Sequence, residues 1–121
     1  MRPLVFVAVL CVLAACKSAT GPGGPSVSII EYQFTPDTIT VKAGGTVTWI
    51  NNGTVDHEVA SDSNSAVTFA TPAISPPMGG GGYGGGTGPG SSRLTFQTAG
   101  TFPYHCAFHP TQMHGTVVVT P

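Results

Sequence analysis

Charged residues are scarce in this chain: only 7% of its 121 residues are Asp, Glu, Lys or Arg, and its formal net charge is −1. The few basic residues form no patch that holds nucleic acid, so no nucleic-acid partner is expected. An apolar period near 3.6 over the length of a helix is also missing. Its absence argues against a helical core.

A long apolar run is missing as well, apart from residues 4–15, which follow Arg2. This run is too short to span a bilayer but has the length of the apolar part of an export signal. It ends in Leu13-Ala-Ala-Cys16, which is similar to the lipobox of bacterial lipoproteins. The similarity implies cleavage after residue 15 and a lipid on Cys16, which would hold the protein on the periplasmic or cell-surface side of a bacterial membrane. An ordinary signal peptide cut near Ala19, or a retained membrane segment, is the alternative.

Cysteine is rare, with three in the whole chain. Cleavage would remove Cys11, and the lipid would block Cys16, so Cys106 would be the only free thiol of an exported protein. It would have no intramolecular disulfide partner. A free thiol is open to oxidation in such a compartment, and a bond to a metal ion would protect it.

The remaining chain divides into a Gly/Pro-rich tether at residues 16–25 and one domain at residues 26–121. About a hundred residues suffice for a single hydrophobic core. Short β-rich runs with alternating apolar residues predict a β-sandwich of seven or eight strands. A glycine-rich stretch at residues 76–90 predicts a disordered loop. The protein is expected to be a monomer.

Chemistry-bearing residues concentrate in "YHCAFHPTQMHG", residues 104–115. Cys106, His109 and Met113 are spaced so that one loop after a strand can direct a thiolate, an imidazole and a thioether to one point. Such soft ligands select copper or zinc over hard ions. A structural zinc site usually needs more cysteines or a second ligand pair, which the sequence lacks, so copper is favoured.

A blue-copper site holds its ion in a trigonal plane of two histidines and one cysteine, with a weak axial methionine, so a second histidine is needed. His57 is the best candidate, because it follows the predicted strand end at Asn51-Asn52-Gly53 and opens the next predicted strand. His105 is expected on the opposite face from Cys106, because neighbouring strand residues alternate. His114 competes with Met113 for the axial position, and the softer thioether of Met113 is favoured.

These motifs, "WINN…H…YHCAFHPTQMHGTVVV", resemble those of the cupredoxins, specifically the plastocyanin/amicyanin/pseudoazurin group. The resemblance implies a Greek-key β-sandwich and one type 1 copper ion bound by His57, Cys106, His109 and Met113. It also implies that Asn51 helps to tie the two ligand loops together. Packing alone is the competing explanation for each of these residues taken singly.

The resemblance implies that the protein carries single electrons between redox partner proteins. Phe108 and Pro110 are expected to form an apolar docking patch around His109. A copper-delivery or storage protein would use the same ligands. An enzyme is not expected, because multicopper oxidases and copper nitrite reductases need additional copper sites.

This sequence departs from the family pattern at two places in the ligand loop. The family often has proline where Phe108 stands, and the segment from His109 to Met113 is one residue longer than in amicyanin and one shorter than in plastocyanin.

Overall fold

A computed structural model describes residues 24–77 and 88–121 of the chain. The predicted export signal, the lipobox cysteine, most of the tether and the centre of the glycine-rich stretch lie outside these residues. Within the described residues, no helix is long and apolar enough to cross a membrane.

The described residues form eight strands in two four-stranded sheets, which confirms the predicted all-β sandwich. One sheet has the order β2-β1-β4-β6 and the other β3-β8-β7-β5. The strand bounds are β1 Ser26–Ile30, β2 Gln33–Thr35, β3 Thr38–Lys42, β4 Gly45–Asn51, β5 Val59–Ser61, β6 Ser91–Phe96, β7 Gly100–Cys106 and β8 His114–Thr120.

Alternating burial shows which face of each strand meets the other sheet. In β7 the side chains of Phe102, Tyr104 and Cys106 are buried, whereas those between them are partly exposed. In β8, Val117 and Val119 face the same interior. This period of two follows from strand geometry and packs the apolar residues between the sheets.

Two turns set the path of the chain through its first four strands. The β-rich run at residues 27–34 predicts one strand, but it forms two, β1 and β2, which pair antiparallel on either side of a turn at Glu31-Tyr32. Glu31 has a φ of 51°, which lets the chain reverse there. The pair Gly44-Gly45, which predicts a turn between two alternating runs, forms one, with a φ of 88° at Gly44, and this turn carries the chain from one sheet to the other.

Aromatic residues dominate the middle of the core. The ring of Tyr104 makes edge-to-face contacts with Phe34, at a centroid distance of 4.9 Å, and with Trp49, at 5.5 Å. Pairs of this kind add about 0.5–1.5 kcal/mol beyond the burial of their area. Burial raises the pKa of Tyr104 to about 12, so its phenol stays neutral at physiological pH. This aromatic core packs against β4, which leads to the segment that carries His57, and against β7, which ends at Cys106.

Candidate metal centre

His57 is held by the backbone on the segment between β4 and β5. Its N–H donates to the Ile74 carbonyl at 3.1 Å, and the N–H of Ile74 donates to the His57 carbonyl at 2.7 Å. These two bonds form an isolated β-bridge, and β5 itself begins at Val59. The side chain of His57 is fully buried. His57 therefore precedes the strand that it was expected to open, and the bridge to Ile74 holds it in place.

Asn51, the last residue of β4, braces the segment that leads to His57. Its side-chain amide donates to the carbonyls of Val55 and Ile74, at 2.8 and 2.7 Å, and its side-chain oxygen accepts from the N–H of Gly53 at 2.9 Å. All three bonds stay on the His57 side of the centre. The two ligand segments are instead joined by a backbone bond, from the N–H of Ala107 to the carbonyl of Glu58 at 2.9 Å.

Cys106 ends β7, and the chain then makes two successive turns. The N–H of His109 donates to the Cys106 carbonyl at 3.1 Å, and the N–H groups of Gln112 and Met113 donate to the His109 carbonyl at 3.2 and 3.1 Å. The N–H of Cys106 also donates to the Met113 carbonyl at 3.1 Å, which closes the loop on itself. Backbone bonds alone thus fix the relative positions of Cys106, His109 and Met113.

The side chains of His57, Cys106 and His109 converge on one point. Their ligand atoms all lie within 4.8 Å of one another, and they are the one such group of three among residues 24–77 and 88–121. The Sγ atom of Cys106 lies 3.7 Å from Nδ1 of His57 and 3.6 Å from Nδ1 of His109. His57 and Cys106 are buried, whereas His109 is partly exposed. One edge of the centre therefore reaches the surface.

These separations fit a first-row metal ion between the three atoms. Bonds of about 2.3 Å to sulfur and about 2.0 Å to nitrogen, opened to a trigonal angle, place sulfur and nitrogen about 3.7 Å apart. Burial lowers the pKa of His57 below its usual 6.5, and the neighbouring His109 lowers it further, against opposing effects of Glu31 and Asp56. The His57 imidazole is therefore neutral at physiological pH and has a lone pair to give to a metal ion.

Burial distinguishes the other candidate ligands, which are Met113, His114 and His105. Met113 is fully buried, whereas the neighbouring His114 is exposed. His105 points away from the interior between the buried Tyr104 and Cys106, and its Nδ1 lies 2.6 Å from Oδ1 of Asp62. Of the two axial candidates, Met113 is the one whose side chain is buried in the core.

Tyr32 lies next to the centre, at a position that the sequence pattern does not predict. Its ring packs edge-on against His109 with a centroid distance of 4.9 Å, although it is half exposed. It belongs to the turn between β1 and β2, where the sequence pattern predicts one continuous strand. The exposed Phe108 and Pro110 lie beside His109 in the ligand loop, at the positions expected for an apolar patch.

Comparisons with known proteins agree with this geometry. The sequence model described as "Copper binding proteins, plastocyanin/azurin family" matches residues 26–120. The chain belongs to this family. Among its relatives, amicyanin from Paracoccus denitrificans is 36% identical over 106 residues, which cover 88% of this chain and 71% of amicyanin. A plastocyanin from Scenedesmus fuscus is also 36% identical, over 71% of this chain and 85% of that protein.

Solved structures of the plastocyanin/azurin family show the same fold. Reduced amicyanin with a proline-to-phenylalanine substitution superimposes with a TM-score of 0.65 at 32% identity, covering 84% of this chain and 86% of that one. Oxidised amicyanin with a methionine-to-leucine substitution gives a TM-score of 0.66 at 29% identity, with the same coverage. The cupredoxin resemblance and copper as the family's metal are thereby confirmed, and His57, Cys106 and His109 are side chains that can hold it.

Proposed function

We propose that this protein binds one type 1 copper ion and carries single electrons between redox partner proteins. His57, Cys106 and His109 are the equatorial ligands, and Met113 is the weak axial ligand. The observation that carries the proposal is the convergence of one sulfur and two imidazole nitrogens, with Sγ of Cys106 at 3.6–3.7 Å from both Nδ1 atoms. Two histidines, one cysteine and an axial methionine are the ligand set of blue-copper electron-transfer sites.

The protein's contribution to electron transfer is a rigid ligand cage. A bound copper ion supplies a one-electron Cu(II)/Cu(I) couple, and Cys106 gives up its proton to bind as a thiolate. The backbone bonds of the ligand loop and the Ile74 bridge would hold these ligand residues in place whether the bound ion were Cu(II) or Cu(I). Little rearrangement then accompanies the arrival or loss of an electron. Burial shields two of the ligands, Cys106 and His57, from water.

His109 is the proposed point of electron entry and exit. It is the ligand that is partly exposed, and it lies within an apolar surface made by Tyr32, Phe108 and Pro110. Tyr32 and Phe108 are 50% and 49% exposed, whereas large aromatic side chains are usually more deeply buried. An apolar surface around a redox ligand suits brief docking of a partner, with its own centre brought close to His109.

The proposal places the protein outside the cytoplasm. The apolar run of residues 4–15 and the Leu-Ala-Ala-Cys sequence ending at Cys16 support export and lipid anchoring to a bacterial membrane, with residues 16–25 as the tether. The protein would then work as a monomer on the periplasmic or cell-surface side. It is proposed as a carrier rather than an enzyme, because four protein ligands leave no position at the copper for a substrate.

Copper delivery or storage is the second candidate function, because the same ligands would serve it. The two functions differ in whether copper leaves the protein. The test is to load the exported domain with copper, cycle it repeatedly between ascorbate and ferricyanide beside a Cu(I) chelator, and measure the copper that stays bound. An electron carrier keeps one copper ion per chain through every cycle. Transfer of copper to the chelator on reduction would support delivery and contradict the electron-carrier proposal.

A further inference from the structure

His105 and His114 face each other on the outer surface of the β3-β8-β7-β5 sheet. They are direct partners in the antiparallel pairing of β7 with β8. The next pair along, Cys106 with Met113, is hydrogen-bonded, because the Cys106 N–H donates to the Met113 carbonyl. Hydrogen-bonded and non-hydrogen-bonded pairs alternate along such a ladder, so His105 and His114 form a non-hydrogen-bonded pair. This pair type brings the Cα atoms to about 4.5 Å and the side chains closest together.

Asp62 fixes the orientation of one of the two rings. Its Oδ1 atom lies 2.6 Å from Nδ1 of His105, and the two side chains are 28% and 27% exposed. A neutral imidazole that donates from Nδ1 to a carboxylate carries its lone pair on Nε2. Metal-binding histidines usually have this arrangement, in which the carboxylate sets the tautomer and makes the ring a better ligand.

The two histidines open onto a depression with space for a hydrated ion. It has a volume of about 430 Å³ and is lined by Asp62, Ser63, Asn64, His105, Pro110 and His114. Cys106, the copper ligand on β7, projects from the opposite face of that strand, since Cys106 is buried and His105 is directed outward. The depression is therefore separate from the copper centre.

We propose that His105 and His114 form a second metal site, which binds a late first-row divalent cation such as Zn(II) or Cu(II). Nε2 of His105 and one ring nitrogen of His114 are the ligands, Asp62 is a positioning residue, and water completes the coordination. Imidazole nitrogens suit these ions, and affinity rises toward copper in the Irving–Williams order. The ring of His114 is exposed, so it can rotate to share an ion with His105.

The test is a titration of the Cu(I)-loaded domain with zinc sulfate, followed by NMR of the histidine ring nitrogens. Zn(II) and Cu(I) are both diamagnetic, and the spectrum reports each histidine separately. The site predicts that the signals of His105 and His114 shift together and saturate at one additional zinc per chain. Asp62→Asn should weaken zinc binding about 10- to 100-fold, as loss of such a carboxylate does at other sites. His114→Ala should weaken the response of His105 at least as much.

Asn64→Ala is the matched control, since Asn64 lines the same depression but offers no imidazole. It should leave the zinc titration unchanged. Shifts confined to His57 and His109 would show that zinc enters only the copper centre and would overturn the proposal. A His105 response that is unchanged in His114→Ala would overturn it as well, because the two rings would then not share an ion.

Discussion

Cys106 and Met113 lie directly opposite each other where the β7–β8 ladder opens into the ligand loop, and the Cys106 N–H donates to the Met113 carbonyl at 3.1 Å. Opposed residues of an antiparallel pair direct their side chains to the same face. Both side chains are fully buried. The ladder therefore delivers a thiol and a thioether together to the interior, beside the two histidines.

Replacing Met113 with leucine tests the axial role of the thioether. The equatorial ligands remain, so Met113→Leu should keep copper and its colour. Its reduction potential should rise, because a weak donor that favours Cu(II) is lost. Cyclic voltammetry and copper analysis of the two proteins measure this difference. Complete loss of copper, or an unchanged potential, would speak against the axial assignment.

Asn51 should matter far more than its neighbour Asn52. Asn51→Ala removes three hydrogen bonds and leaves the buried N–H of Gly53 without its partner, which should cost about 2–3 kcal/mol of the free energy of unfolding. Asn52→Ala is the control, because the Asn52 amide contacts only Ser28 at the exposed surface. Urea unfolding of both variants gives the comparison. Equal stability of the two would refute the bracing role of Asn51.

Gly115 leaves no room for a larger residue. It pairs with Tyr104 across the ladder, and a β-carbon at Gly115 would overlap the Tyr104 ring. Gly115→Ala should displace this central core aromatic and lower the unfolding free energy by about 1–3 kcal/mol or more, in the range of overpacked cores. Gly88→Ala is the control, since a β-carbon there meets nothing within 4 Å. Thermal unfolding in which Gly115→Ala melts like Gly88→Ala would contradict this packing.

Tyr32 should influence electron exchange without changing the ligands. Tyr32→Ala removes the ring that packs against His109, so the visible spectrum should persist while electron self-exchange slows several-fold. The control is Val67→Ala, because Val67 is equally exposed, at 52% against 50% for Tyr32, but lines a separate groove. Self-exchange measured by NMR line broadening distinguishes them. Equal rates in the two variants would remove Tyr32 from the proposed docking surface.

The sequence was sufficient to predict the sandwich and the convergence of His57, Cys106 and His109. Alternation along residues 39–49 and 100–106 marks the inner faces directly, and the Cys106–His109–Met113 spacing requires a compact loop. Long-range placements were harder to predict. The bridge between His57 and Ile74 joins residues separated by an irregular segment with no periodic pattern.

Two errors have clear physical causes. The turn at Glu31-Tyr32 lacks glycine and proline, so no residue type there indicates that the chain reverses and carries Tyr32 to His109. The expected link between the ligand segments was assigned to the Asn51 side chain, but the Ala107 N–H makes it with the Glu58 carbonyl. Almost any residue can make a backbone hydrogen bond of this kind, so residue types do not predict it.

The most direct test of the copper centre is the visible spectrum of the Cu(II)-loaded domain, recorded beside that of Cys106→Ser. The ligand set predicts an intense thiolate-to-copper charge-transfer band in the native protein, with narrow parallel hyperfine splitting in electron paramagnetic resonance. Ascorbate should bleach the band and an oxidant restore it, and Cys106→Ser should lack it entirely. A pale adduct in the native protein, or an intense band that survives the loss of Cys106, would contradict the account.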